Sequence, residues 1–267
     1  MPPPATSVFE KKPGNVSIAS RNSSDRNMAL CAVRGLATIP ITDCKGRVIT
    51  VMAGHPADPN WNELQLEATN TLTREVCSGE HWYFLWGGQT VLFDVCMPDT
   101  RTDVLKHPQN LHNNPANIRV LDILLNCILF TCLATFLSLV FATWAPDLCH
   151  YYAMYLHDLL MHDISLVINW TSCIFAAATF NFGPQTCTFH HTDSANLPFG
   201  WCMITALGRF NPQFGGHLVL WDLKLVLDFP PGSTILIPLA ILQHSNTTIG
   251  RSERHYSFMQ SNDVHPK

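Results

Sequence analysis

The sequence predicts an α+β fold in which a helical N-terminal half supports a C-terminal β-sandwich. The first observation is a change of period: apolar residues recur at helical spacing in Asp58–Cys77 and Leu148–Leu159, and short β-type runs follow after Ser165. The second is that turn residues separate those runs, as in Gly183-Pro184 and Pro230-Pro231-Gly232. Closely spaced strands with such turns are typical of a jelly-roll or cupin-like sandwich, the double-stranded β-helix.

The chain is expected to form a short tail and a single domain. Residues 1–28 are rich in Pro, Ser and Asn and contain no apolar run, which predicts a disordered tail and not a signal peptide. Residues 29–267 are numerous enough to bury a sizeable core. Within this domain we expect a helical support over about 29–170 and the β-helix core over about 173–260.

Two helices of the support have clear sequence signals. Asp58 to Cys77 places its apolar residues at helical spacing, and Pro146 is well suited to the first turn of a later helix. The apolar face of that later helix consists of Leu148, Tyr152, Tyr155, Leu156 and Leu159. Residues 29–51 alternate enough to predict short strands ahead of the first helix.

Between these helices, the 23 residues from Ile123 to Ala145 carry no charge. A segment of that length is able to span a bilayer. Its immediate flanks are acidic, with Asp122 and Asp147, whereas the flanks of membrane spans are often rich in Lys and Arg. We expect one or two buried helices here, and a membrane span stays open as the alternative.

Composition and charge limit the classes of function. Charged residues make up only 13% of the chain, about half the usual share, and the net charge is −4. The chain therefore has no general basic field that would attract nucleic acid, and any such contact needs a local patch. The ten cysteines contain no C-x-x-C pair, which favours reduced thiols and a nuclear or cytoplasmic location.

A candidate metal site lies among the predicted strands of the C-terminal part. His191 and Asp193 are two residues apart at the end of one strand, so alternation directs both side chains to the same face. His244 follows a later β-run. The strands are predicted over Cys173–Phe180, Thr186–His191, Met203–Phe210, His217–Trp221, Leu223–Phe229, Thr234–Leu242 and His255–Gln260.

Two imidazoles and one carboxylate on one side of a metal form the facial triad of non-haem Fe(II) oxygenases. Such a centre keeps positions open for a cosubstrate such as 2-oxoglutarate and for dioxygen, while the protein supplies orientation and a dry pocket. The predicted cofactors are therefore Fe(II) and 2-oxoglutarate. The distal carboxylate of 2-oxoglutarate requires a cation from a later strand, and Arg254 and Ser257 follow His244 closely.

Several stretches resemble the TET/JBP family of Fe(II)/2-oxoglutarate dioxygenases, in particular its fungal, transposon-associated branch. The matching stretches are FAAATFNFGP, HHTDSANLPFGWC, GGHLVLWDLKLV, FPPGSTILIP and HSNT. The resemblance implies that His191, Asp193 and His244 bind the iron and that His217 contacts 2-oxoglutarate. It also implies that Asn196 touches a flipped base, although a loop-capping role for Asn196 is the simpler alternative.

The chain departs from the family where the cosubstrate arginine is expected. The family has R-x-S within an R-R-Y-S-F stretch, and this chain has Arg254-His255-Tyr256-Ser257. The aligned position is His255, and strand alternation directs Arg254 to the opposite face. We therefore expect His255 to face the distal carboxylate, with Ser257 on the same side and Arg254 turned outward.

The resemblance implies oxidation of a methyl group on a nucleic-acid base, with 5-methylcytosine in DNA as the first expectation. Such an enzyme extrudes its base from the duplex into the pocket. Two alternatives stay open. One is a catalytically inactive relic of the fold, and the other is a 2-oxoglutarate oxygenase that acts on a protein or small molecule, which the acidic net charge favours.

Overall fold

The computed structural model describes residues 28–32, 38–78, 84–85, 88–93, 95–96, 109–110, 115–193 and 196–262. The predicted tail, apart from Met28, lies outside the described residues. The helices are α1 (Trp61–Ser78), α2 (Pro115–Leu125), α3 (Ile128–Trp144) and α4 (Pro146–His162). The strands are β1 (Ala29–Ala32), β2 (Ile39–Thr42), β3 (Val48–Gly54), β4 (Phe84–Leu85), β5 (Gly88–Phe93), β6 (Val95–Cys96), β7 (Gln109–Asn110), β8 (Ala177–Phe182), β9 (Cys202–Arg209), β10 (Leu218–Leu220), β11 (Leu225–Asp228), β12 (Thr234–Ile237), β13 (His244–Asn246) and β14 (Arg254–Ser261).

Two sheets form the sandwich. The major sheet has eight strands in the order β2-β3-β12-β9-β14-β8-β5-β4, and the minor sheet has four in the order β1-β11-β10-β13. Pairing is antiparallel except between β1 and β11. The N-terminal strands β1, β2, β3 and β5 thus belong to the sheets, so the sandwich draws on residues that the sequence places in the helical support.

The core is divided into two layers by the major sheet. On β9, Met203 and Leu207 face the helices, while Cys202 and Ala206 face the minor sheet. This division follows from strand alternation, because successive side chains point to opposite faces. The inter-sheet layer receives residues of both sheets, among them Ile235 from the major and Leu220 from the minor sheet.

The uncharged stretch forms the end of α2 and all of α3. Asn126 Nδ2 donates to the Asp122 carbonyl 2.7 Å away where α2 ends, and α3 starts two residues later. Phe130 and Phe141 of α3 are completely buried, and Phe130 packs edge-on against Phe180 of β8. The prediction of helices packed beneath the sandwich is confirmed for this segment.

Among the described residues, no single helix has the length and apolar character needed to cross a membrane. The helices 118–125 and 128–144 satisfy the length and composition criteria only as a pair, with a bend of 66° between them.

The predicted strand over Thr234–Leu242 is shorter in the structure. Strand β12 ends at Ile237 because Pro238 has no N–H with which to continue the ladder. The N–H groups of Ile241 and Leu242 instead donate to the Pro238 carbonyl, at 3.2 and 3.1 Å. The resulting turn, residues 238–243, leads directly into β13 and His244.

Candidate metal centre

The side chains of His191, Asp193 and His244 meet where β13 begins. The Nε2 atom of His191 lies 3.3 Å from Asp193 Oδ1, and the Nε2 atom of His244 lies 4.0 Å from the same oxygen. One ligand atom from each of the three residues lies within 4.8 Å of the other two. The structure therefore brings together the three residues that the sequence predicts as metal ligands.

Both imidazole rings are oriented by backbone carbonyls. His191 Nδ1 is 2.6 Å from the Phe189 carbonyl oxygen, and His244 Nδ1 is 2.9 Å from that of Leu242. Because a carbonyl oxygen only accepts hydrogen bonds, each Nδ1 must carry the hydrogen. Each Nε2 of a neutral ring then directs a lone pair toward Asp193, which is the arrangement found in metal-binding histidines.

The backbone holds the three residues in register. His191 and His244 exchange N–H···O bonds of 3.1 and 2.9 Å, and the Asp193 N–H donates to the Leu239 carbonyl at 3.0 Å. The 238–243 turn thus anchors Asp193 through Leu239 and orients His244 through Leu242. One short turn therefore fixes two of the three candidate ligands.

The predicted strand over Thr186–His191 is not a regular strand. It shows only a single bridge, between His191 and His244. The side chain of Asn246 takes the place of the missing ladder: its Oδ1 accepts from the Thr188 N–H and hydroxyl at 2.6 Å each, and its Nδ2 donates to the Thr186 carbonyl at 2.7 Å. Asn246 was not singled out from the sequence, although its position two residues after His244 places it on the same face.

The two rings differ in their affinity for a proton. The hydrogen bond with Asp193 raises the pKa of His191, even though partial burial opposes this effect. Burial lowers the pKa of His244, whose side chain is only 6% exposed. Asp193 therefore faces one ring that favours a shared proton and one that favours the neutral form.

The donor set fits a divalent first-row metal ion. Three acceptors converge on one point, and a cation among them would relieve the mutual repulsion between their lone pairs. Neighbouring donors in a shell with bonds of about 2.1 Å lie roughly 3 Å apart, so small rotations of the rings would complete the site. Fe(II) held there would supply oxidative chemistry with dioxygen and 2-oxoglutarate.

His217 and Asn196 do not join this cluster. Leu220 pairs with His244, so alternation places His217 on the other face of the minor sheet. There its ring contacts Thr247 Oγ1 at 3.0 Å and Asp228 Oδ1 at 3.4 Å. The structure thus places His217 apart from the triad, and its predicted contact with 2-oxoglutarate stays a prediction. The strand register that decides its position is not readable from the sequence.

Asn196 is buried and its surroundings are structural. Its N–H donates to the Asp193 carbonyl at 2.9 Å, and its Nδ2 lies 3.1 Å from Cys202 Sγ. These contacts tie Asn196 to the backbone of Asp193 and to the side chain of Cys202. The predicted contact between Asn196 and a flipped base stays a prediction.

Strand β14 presents two different faces. Arg254 is exposed, whereas His255 and Ser257 are buried, and Ser257 pairs with Ala206 of the inter-sheet layer. Asn181 of β8 lies directly opposite Ser257, and its Nδ2 donates to Ser257 Oγ at 2.7 Å. The inter-sheet space therefore holds a polar group of His255, Ser257 and Asn181, the last of which the sequence did not single out.

Glycine at position 208 allows β9 to approach β14 at His255. Gly208 pairs with His255 and has φ of +131°, a conformation that side-chain-bearing residues rarely adopt. A Cβ atom there would collide with the Arg254 carbonyl. This close pairing keeps His255 in position on the inner face.

Solved structures that are similar to this chain include oxygenases. NgTET1 in complex with 5mC DNA has a TM-score of 0.59 and 15% identity, over 86% of this chain and 77% of that chain. A 2OG-Fe(II) oxygenase family oxidoreductase from Burkholderia pseudomallei has a TM-score of 0.39 and 17% identity, over 80% of this chain and 84% of that one. The dioxygenase for auxin oxidation in rice has a TM-score of 0.40 and 15% identity, over 83% and 75%.

No protein-family model matches the chain, and no curated protein matches its sequence. The likeness to NgTET1 therefore establishes the fold alone. The predicted α+β architecture with a jelly-roll β-helix is confirmed.

Proposed function

We propose that this chain is an Fe(II)- and 2-oxoglutarate-dependent dioxygenase of the TET/JBP type, from the fungal, transposon-associated branch. The observation that carries the proposal is the convergence of three lone-pair donors from His191, Asp193 and His244 at one point of a β-helix. This donor set matches the facial triad of non-haem iron oxygenases. The bound iron would supply the oxidation of both cosubstrate and substrate.

The other residues of the site would bind and orient the cosubstrate. The triad would hold the iron from one side and leave the other side open. His255, Ser257 and Asn181 face the inter-sheet space and would be the polar residues that bind the distal carboxylate of 2-oxoglutarate. Apolar residues of the same layer, such as Leu218 and Leu220, exclude water from this space.

The proposed substrate is a methyl group on a nucleic-acid base, 5-methylcytosine first. Three aromatic side chains near the triad residues are exposed: Phe189 by 72%, Phe199 by 43% and Trp221 by 37%. Phe189 and Phe199 flank His191 and Asp193 in the chain, and the Trp221 N–H donates to the carbonyl of Gln243, which precedes His244. Exposed rings of this kind offer stacking surfaces for an extruded or single-stranded base. The NgTET1 structure with 5mC DNA supports this choice of substrate through the shared fold.

The test is release of succinate from 2-oxoglutarate by the Fe(II)-loaded protein, with duplex DNA that contains 5-methylcytosine or cytosine. We expect succinate and an oxidised base only with methylated DNA. Asp193→Ala should abolish both, whereas His190→Ala should not, since the His190 side chain lies outside the triad and contacts Gln243. No turnover in a folded, iron-loaded protein would favour the inactive relic. Succinate without base oxidation would favour another substrate class.

A further inference from the structure

His255 is a buried imidazole on the inner face of the sandwich. Its side chain is 5% exposed, and Phe210 packs edge-on against the ring at a centroid distance of 4.9 Å. Nδ1 lies 3.0 Å from the Thr186 carbonyl oxygen, so Nδ1 carries the hydrogen. Nε2 is then a lone-pair acceptor, and it is buried without a hydrogen-bond partner.

A neutral ring in this tautomer is unsuited to a carboxylate. Two acceptors that face each other repel, and a carboxylate desolvated between sheets needs a donor. Nε2 becomes a donor only if the ring takes up a second proton, because the Nδ1 hydrogen is already engaged by Thr186.

The free protein favours the neutral ring. Burial lowers the pKa of His255, opposed only by its hydrogen bond to Thr186. The charged residues on the neighbouring strands do not compensate: Arg209 of β9 and Arg254 of β14 are exposed. Glu253 accepts from the N–H groups of Asn211 and Gly250, and Tyr256 points the other way, to Thr73.

We propose that a carboxylate ligand of this site, the distal carboxylate of 2-oxoglutarate, binds together with a proton that His255 takes from solvent. The identity of the ligand rests on the proposed function. The neutral ring, the carboxylate anion and one solvent proton give an imidazolium–carboxylate pair, in which Nε2–H donates to the ligand. Release of the ligand returns the proton to solvent.

Proton-linked binding has a measurable consequence. Above the pKa of the free His255 ring, each unit of pH lowers the availability of the proton tenfold, so ligand affinity falls by about tenfold per pH unit. An arginine at this position would bind without proton uptake because its guanidinium is always charged. In this chain, cosubstrate affinity would therefore respond to pH at the site itself.

The experiment is titration calorimetry of the Mn(II)-loaded protein with N-oxalylglycine, an inert mimic of 2-oxoglutarate. Measurements at pH 7 and pH 8, each in two buffers of different ionisation enthalpy, give the protons taken up. We expect uptake of about one proton and roughly tenfold weaker binding at pH 8. His255→Arg should bind with no uptake and no such pH dependence, and His255→Gln should bind weakly without uptake.

The outcomes separate this inference from the function on which it rests. Binding by the wild-type protein without proton uptake would overturn the proton coupling and leave the oxygenase proposal intact. If neither the wild-type protein nor His255→Arg binds N-oxalylglycine while Mn(II) is bound, both the coupling and the proposed cosubstrate are wrong. The titrations of the wild-type protein in the two buffers measure proton uptake directly, so they test the proton coupling even if a variant fails to fold.

Discussion

The choice between Arg254 and His255 is the residue-level question on which cosubstrate binding depends. The two side chains are adjacent in the chain but lie on opposite faces of β14, with Arg254 exposed and His255 buried. Strand alternation predicts this from the sequence once β14 is recognised. A register shift would have reversed the two, and none is present in the pairing of β14 with β9.

Replacing His255 with arginine is expected to strengthen N-oxalylglycine binding at pH 8 by about tenfold to a thousandfold. Arginine would make two charge-assisted hydrogen bonds of roughly 1.5–3 kcal/mol each, whereas the histidine makes one and must first take up a proton. Calorimetry measures the change. Arg254→Ala serves as the control and should leave affinity unchanged; loss of binding in Arg254→Ala alone would identify Arg254 as the true partner.

Some residue positions could be predicted from the sequence and others could not. The triad could be predicted from the sequence because residues two apart share a strand face, which placed His191 beside Asp193. His217 was assigned to the cosubstrate by resemblance, and the pairing of β10 with β13 places it on the outer face. Which partner residue a strand faces depends on tertiary pairing, and the sequence of one strand does not contain that information.

At the level of elements, the segment 186–191 shows how the candidate metal-binding residue His191 is held in place without a regular strand. Its residues alternate like a strand, which is why the sequence predicts one. In the structure, the Asn246 side chain binds Thr186 and Thr188 in place of a ladder. A polar side chain that takes the place of backbone pairing produces no periodic pattern in the sequence. The hydrogen bonds of Asn246 therefore could not have been predicted.

Asn246→Ala is expected to weaken Mn(II) binding by about 10–100-fold without unfolding the protein. The variant leaves the Thr188 N–H without its partner and removes one of the two groups bonded to the Thr186 carbonyl, and groups that orient metal ligands typically have effects of this size. Gln243→Ala is the matched control, because the side-chain amide that it removes bonds to His190, whose ring lies outside the triad. Equal Mn(II) affinity in the two variants would show that Asn246 does not position the site.

On the scale of the whole molecule, the major sheet separates the inter-sheet space, where the site lies, from a helical layer that supports it. Helix α3 is the centre of that support, and its buried face packs in the same core as residues of the major sheet. The sequence predicted buried helices from the acidic flanks. It did not predict that β1 to β5 complete the sheets, because such long-range pairings have no local signature.

Two leucines of α3 test this account of the helix. Leu137 is completely buried, whereas Leu139 is 64% exposed. Leu137→Ala should lower the free energy of unfolding by about 2–5 kcal/mol. Leu139→Ala should change it by no more than about 0.5 kcal/mol. Urea denaturation measures both, and a larger loss in Leu139→Ala would mean that this face of α3 is covered in solution.

The central claim is that one metal ion binds between the two histidines and the aspartate, and anaerobic equilibrium dialysis with Fe(II) tests it most directly. We expect one ion per chain in the wild-type protein and in His190→Ala, whose ring lies outside the cluster. His191→Ala and His244→Ala should lose the ion, since each removes one of the three donors. Iron binding that is absent from the wild-type protein, or unchanged in His191→Ala, would contradict the account.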